Sequence, residues 1–267
     1  MIIDVFPFFN EYEILKIRLE LLHLHVDKFV IVEHNIDFNN NIKLFNLEVL
    51  IDSLNETYKD KIDYVKIHSD PIPGVWGQEI HQKNNLSCAI DKYPDAYFLF
   101  GDLDEVPNPI FLEEAINLYN KSGPCLFFLD WCINRWDIVM KKQWPGPVFG
   151  KKDDIVRMGG VRKFMCPGDT KSKYWVKQFY PALHHSGWHW SYFGDSNSVS
   201  QKLDAVIEGK KVRTKIKDEK IVIDNGQLIH FIKKYAGEFF DSIPDNFYPE
   251  NIKRVISKYP QWWKHKI

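Results

Sequence analysis

The sequence predicts an α/β fold: a mostly parallel central sheet flanked by helices. Three observations predict it. Apolar runs of strand length alternate with helix-length amphipathic segments through roughly the first 120 residues. The early strands are apolar at nearly every position, as in a sheet covered on both faces. A knot of three carboxylates, Asp102, Asp104 and Glu105, directly follows one apolar run. It therefore sits at the carboxyl edge of a strand, where open α/β sheets bind ligands.

Each element is readable in order. "MIIDVFPFF" is a short strand. "NEYEILKIRLELLHLH" is a helix, because Ile14, Ile17, Leu21 and Leu24 recur at helical spacing and Leu15, Leu19 and Leu22 widen the stripe. Asn10 and Glu13 make a capping-box pattern at its start. "KFVIVEH" is a second strand, "NLEVLIDSLNETY" a helix, "IDYVKIHS" a third strand, "WGQEIHQKNNLSCAIDKY" a helix and "AYFLF" a fourth strand. Asn108 and Pro109 supply an N-cap and first-turn proline for the helix "PIFLEEAINLYN". Beyond Gly123 the pattern changes. "CLFFLDWCI" is a strand, and residues 141–175, rich in Lys, Gly and Pro, read as a mobile loop. "SNSVSQKLDAVIEG" reads as a helix, followed by two short strands and a tail helix near "NIKRVISKYPQWW". The expected organisation is one domain over residues 1–267, with a nucleotide-binding half (1–122) and an acceptor half (123–267) that carries the mobile loop and the C-terminal helix.

Composition narrows the function. The chain of 267 residues is 45% hydrophobic and 27% charged, an ordinary globular balance. A formal net charge of -1 gives no basic field, so no nucleic-acid partner is expected. The four cysteines form no C-x-x-C pair, which removes zinc-ribbon and thioredoxin readings and favours a reducing compartment. The first thirty residues interrupt every apolar run with charge, and no stretch has transmembrane length, so no integral membrane segment is expected.

The Asp-x-Asp of residues 102–104 suits a divalent cation, since carboxylate oxygens at alternate positions of a turn can share one hard ion. Such an ion can clamp a diphosphate leaving group. The competing reading is acidic residues placed before a helix N-terminus. No Walker phosphate loop and no G-x-S-x-G elbow is present, which disfavours P-loop NTPases and common hydrolases. "HHSGWHW" offers His184, His185 and His189, any of which can complete a metal shell, and Trp188 and Trp190, which can stack on sugars or fill core.

"DVFPFFNEYEILKIRLELLHLHVDKFVIVEHNIDF", "WGQEIHQKNN", "FLFGDLDEVPNP" and "SGWHWSYFG", in that order, resemble glycosyltransferase family 17 over roughly residues 1–235. The resemblance implies a glycosyltransferase-A-like fold, a UDP-sugar donor with GlcNAc as the expected sugar, a glycan or other carbohydrate acceptor, inversion at the anomeric carbon, and a divalent metal, Mn2+ or else Mg2+. It implies Asp102, Asp104 and His189 as metal ligands. Its matched blocks assign substrate contacts to Phe9, Asn10, Glu11, Glu33, Trp76, Glu79, Gln82, Lys83, Gly187 and Trp188. The family pattern has Arg where this chain has Lys83, which loses the bidentate fork.

An inverting transfer needs a carboxylate base at the acceptor hydroxyl. Asp195 and Glu105 are the candidates, with Asp195 preferred; Glu105 can instead orient the loop and Asp195 can cap the next helix. Golgi members of the family carry a membrane anchor, and the charged start of this chain points instead to a soluble, cytoplasmic enzyme of a bacterial or viral setting. The alternatives are a transferase for another hexose, a carbohydrate-binding protein without catalysis, and a metal-dependent phosphoesterase.

Overall fold

The computed structural model describes residues 1–74, 76–167, 179–194, 196–206, 223–224, 227–228 and 239–263. Strands β1 (Ile2–Pro7), β2 (Lys28–His34), β3 (Ile62–Ile67) and β4 (Tyr97–Phe100) are joined through helices α1 (Tyr12–Leu22), α2 (Leu47–Ser53), α3 (Glu56–Lys59), α4 (Gly77–Asn85) and α5 (Cys88–Lys92). After β5 (Glu105–Pro107) come a 3-10 turn at Pro109–Phe111, α6 (Leu112–Ser122), β6 (Cys125–Ile133), β7 (Trp144–Lys151), α7 (Lys152–Met158) and α8 (Val161–Met165). The chain continues through β8 (Ala182–Leu183), β9 (Gly187–Ser191), α9 (Ser196–Ala205), the hairpin strands β10 (Ile223–Asp224) and β11 (Gln227–Leu228), and α10 (Glu250–Ile256).

A nine-stranded sheet runs in the order β3-β2-β1-β4-β7-β6-β9-β5, with β8 paired to β6. The β3-β2-β1-β4 block is parallel, whereas β7 is antiparallel to both its neighbours. The alternation along each strand explains the continuous apolar runs. In β1, Ile2 and Phe6 join one core and Ile3 and Val5 the other; in β2, Phe29 and Ile31 oppose Val30 and Val32 in the same way. Residues of α1, α2, α6 and α10 close the first core, and residues of α5, α7 and α8 the second. Both faces are covered, so both parities must be apolar.

Three expectations need correction. Residues 144–165 are not a loop: they form β7, α7 and α8, and β7 lies between β4 and β6. Its prolines and glycines read as breakers, yet Pro145 and Pro147 lie beyond the stretch paired with β4, which ends at Val148, so their missing N–H groups break no β4 bond. Gly146 and Gly150 are packing requirements, because a Cβ would approach Leu129 Cδ1 to 2.4 Å or Phe164 Cζ to 2.7 Å. Residues 168–175 of the expected loop lie outside the described residues. The second correction concerns the capping box. The N-cap of α1 is Glu11, without a side-chain cap bond, and Asn10 adopts φ +49° while its Oδ1 accepts from Asn46 Nδ2 at 2.8 Å. The third is that each of the two long central helices is split, at Leu54 between α2 and α3 and at Leu86–Ser87 between α4 and α5. The Asn108 cap does form: its side chain accepts from Ile110 N, and Pro109 opens the 3-10 turn.

His34, the last residue of β2, gives this core a pH dependence. It is 2% exposed; Nδ1 lies 2.9 Å from Ser69 Oγ, and Nε2 has no hydrogen-bond partner among the described residues. Burial, then the neighbouring His81 and Lys43, push its imidazole down to about 4. The unfolded chain therefore takes up a proton near pH 6.5 that the native chain refuses until about 4. Stability should fall as pH drops through that window, by at most ~3 kcal/mol. Urea denaturation at pH 7 and pH 5 should show a smaller loss in His34→Gln than in the parent. Equal losses would assign the acid sensitivity to other groups.

Candidate active site

The site forms where three segments meet at the carboxyl edge of β1 and β4. The first is the turn after β1, Phe8–Glu11, bent by the left-handed Asn10. The second is the carboxylate segment after β4. It bends back at once into β5, which pairs antiparallel with β9 so that Glu105 lies opposite His189. The third is α9, whose Lys202 reaches down onto the other two.

One buried side chain fixes the carboxylate segment. Arg18, on α1 and 0% exposed, donates Nε and Nη2 to the two oxygens of Asp4 at 2.8 and 2.6 Å. Its Nη1 donates to the carbonyls of Asp102, Leu103 and Glu105 at 2.9, 3.0 and 2.8 Å. The guanidinium thus ties α1 and β1 to the backbone that carries the Asp-x-Asp. Glu105 works from the other side. Its Oε2 accepts from Asp102 N at 2.9 Å, and its Oε1 accepts from Trp144 Nε1 at 2.7 Å. At 0% exposure, and with both oxygens accepting hydrogen bonds, it takes the loop-orienting of its two expected roles. Asp195 lies outside the described residues.

Asp104 is the centre of the charge cluster. Lys202 Nζ donates to its Oδ2 at 2.6 Å and also to the Glu11 carboxylate. His189 Nε2 lies 3.5 Å from the same Oδ2. Burial would raise the Asp104 pKa, but Lys202 and then His189 outweigh it and hold the carboxyl far below the usual carboxylate range. Burial pushes Glu11 up to about 7 against the opposing pull of Lys202. Lys202 is itself held above the usual lysine range: burial lowers it, and Asp104 and Glu11 together prevail. Asp102 faces a second cation, Lys83, whose Nζ is 3.3 Å from its Oδ1 and 3.1 Å from Glu79 Oε1.

The structure thus brings together Asn10, Glu11, Asp104, His189 and Lys202, with Glu79, Lys83 and Asp102 forming an adjoining ion-pair group. Phe9, Asn10, Glu11, Gly194, Ser198 and Lys202 line one cleft. Other expected contacts are placed elsewhere. Glu33 is fully buried and accepts from Lys43 Nζ, Tyr64 Oη and the backbone N–H groups of Asn46 and Leu47, so it anchors the start of α2 rather than facing a nucleoside. Gln82, also buried, donates to Ile36 O at 2.7 Å. Trp76 is half-buried at the N-cap of α4. Gly187 serves packing, because a Cβ there would lie 2.3 Å from Val106 O. Trp188 is 3% exposed, stacked at 6.1 Å on Trp190 and packed on Tyr248; it is core and offers no sugar face. The half-buried Trp131 and Trp144 flank His189 instead, at centroid distances of 6.0 and 4.4 Å.

Lys202, Arg18, Trp131 and Trp144 are the residues that sequence reasoning missed. Arg18 had a signal: it interrupts the apolar stripe of α1, and a charge on a core-facing position demands a partner. Lys202 reads as an ordinary helix-surface lysine, and nothing local distinguishes it.

A metal is implied by the Asp-x-Asp, and the donor set can be tested against it. Among the described residues, no three His, Cys, Asp or Glu side chains stand close enough to hold an ion as they are placed. The ammonium of Lys202 stands between Glu11 and Asp104. The groups around that ammonium, two carboxylates and an imidazole, are the donor types that manganese accepts. The donor types suit an ion, and the ammonium of Lys202 now stands among them.

The chain is an α/β protein whose central sheet has helices on both faces and a carboxylate-bearing edge. Residues 1–123 match the model of glycosyltransferase family 17. No curated protein matches the chain. Among solved structures, it is similar to S. aureus TarS 1–349 in complex with UDP-GlcNAc (TM-score 0.43, 11% identity, covering 98% of this chain and 78% of that one). It is also similar to a glycosyltransferase involved in glycosylation of the major capsid of PBCV-1 (TM-score 0.32, 14% identity, 69% and 81%). No helix among the described residues is long and apolar enough to cross a membrane.

Proposed function

We propose that this protein is a metal-dependent, inverting glycosyltransferase that moves GlcNAc from UDP-GlcNAc to a hydroxyl of a glycan or other carbohydrate acceptor. The observation that carries this reading is the charge cluster at the sheet edge: Asp104, Glu11 and His189 around one cation position, with Lys83 beside Asp102. Glu11, Asp104 and His189 would hold the divalent ion, Mn2+ or Mg2+, with Asp102 beside them. When bound, that ion supplies positive charge to the departing diphosphate.

The chain's own residues do the remainder. Phe9 and Asn10 wall the cleft on the nucleotide side. Lys83, oriented by Glu79, offers a cation to phosphate oxygens. Trp131 and Trp144 supply ring faces for sugar stacking, a role taken over from Trp188. Asp195 remains the proposed base. The four free thiols accord with a reducing compartment, and the cytoplasm is the proposed location.

UDP should bind at least tenfold more tightly in manganese than in chelator, about 1.4 kcal/mol. Calorimetry in the two buffers checks this. Equal affinities would remove the ion from the donor site. Release of phosphate from simple esters, without sugar transfer, would favour a phosphoesterase instead.

A further inference from the structure

The cation position beside Asp104 already has an occupant, and it belongs to the chain. Lys202 is the seventh residue of α9, and its side chain is 17% exposed. Its ammonium contacts Asp104 Oδ2 at 2.6 Å and the Glu11 carboxylate, two groups distant in the chain. His189 Nε2 lies 3.5 Å from the same Asp104 oxygen. A divalent ion needs that oxygen within about 2.0–2.6 Å. An ammonium kept on the same atom would stand about 4 Å from the ion, and two cations that close repel each other in a half-buried site. That repulsion sets the two cations in competition for the position.

We propose that Lys202 is the built-in counter-cation of the donor site, a reading that rests on the metal-dependent function above. Without nucleotide, its ammonium bridges Glu11 and Asp104 and closes the cation position. It yields that position when the ion arrives together with the donor, because the diphosphate oxygens then accept the ammonium. An ion arriving alone must strip the lysine from two carboxylates with no anion to receive it. An ion arriving with the diphosphate supplies that anion. Ion and nucleotide should therefore bind cooperatively, each raising the affinity for the other by the same factor. Lys202 is a positioning residue while the site is empty and a phosphate contact once it is filled.

The test removes the ammonium and measures the ion without nucleotide. Manganese chloride is titrated by calorimetry into the parent protein and into Lys202→Met, and UDP is then titrated in saturating manganese. The variant should bind manganese alone at least tenfold more tightly, and UDP in manganese at least tenfold more weakly. Manganese alone should also raise the melting temperature of the variant more than that of the parent, since Glu11 and Asp104 then repel each other until the ion bridges them. Should the methionine variant not fold, Lys202→Gln takes its place, and Lys202→Arg, which keeps the charge, should retain the weak manganese binding of the parent. Equal manganese affinity in the parent and the uncharged variant overturns the role of Lys202, even where UDP binding in the parent depends on manganese. UDP binding in the parent that ignores manganese, with no manganese bound by the variant, overturns that role and the metal-dependent reading together.

Discussion

Arg18→Met should lose most of the stability of this fold. The guanidinium is fully buried and makes five hydrogen bonds, two to Asp4 and three to the carbonyls of the carboxylate segment. Methionine fills much of its volume but leaves the Asp4 carboxylate, itself 0% exposed, without its countercharge. Removing one partner of a buried pair costs about 3–5 kcal/mol. Whole domains are stable by only about 5–15 kcal/mol, so the variant should be marginal or unfolded at 37 °C. Arg18→Lys restores the charge but not the fork, and should recover part of the loss. The pair Asp4→Asn with Arg18→Met removes the stranded charge and should be more stable than Arg18→Met alone. Urea midpoints of the four proteins check the order. A double variant no better than the single would mean that the carbonyl contacts, not the ion pair, carry the energy.

Asp104→Asn should produce the largest loss of activity. The amide preserves size and removes the charge that a hard cation requires. It also weakens the hold on Lys202 and His189. Transfer should fall at least a hundredfold, about 2.7 kcal/mol of barrier at tenfold per 1.36 kcal/mol. A mutual repulsion of the three carboxylates would let the asparagine stabilise the protein. The structure points the other way, because Lys202 and His189 already hold Asp104 ionised and neutralised. The native site thus favours the carboxylate, and stability contributed by that preference is present above the usual carboxyl pKa and lost as pH falls below it. The variant should lose about 1–3 kcal/mol at pH 7, the worth of a hydrogen bond to a charged group, and remain folded.

The parallel half of the fold was legible because its signals are local. Strands apolar at both parities, a helix with a continuous stripe and an Asn-Pro cap each specify themselves. β7 was not legible: a central strand that begins Trp-Pro-Gly-Pro has its prolines past the end of β4 pairing at Val148 and beside an irregularity in its pairing with β6. The glycines of β7 have their reasons in Leu129 and Phe164, which are distant in sequence. The same division runs through the site. Asp102 and Asp104 announce themselves as like charges packed together at a strand edge. Glu105, Glu33 and Trp188 look equally chemical in a string of letters, yet their burial assigns them to structure. Lys202 shows the converse, since its meaning comes from Glu11 and Asp104, which only the folded chain brings within reach.

The central claim is that the cluster around Asp104 binds and activates a sugar-nucleotide donor. Its most direct test is the transfer rate of Asp104→Asn with saturating UDP-GlcNAc and manganese, expressed per folded molecule from a melting curve taken in the same buffer. The account predicts a folded variant whose rate is reduced at least a hundredfold. A folded variant turning over at near the parent rate would contradict it, and the carboxylates would then be acidic residues placed before a helix, with the chemistry elsewhere.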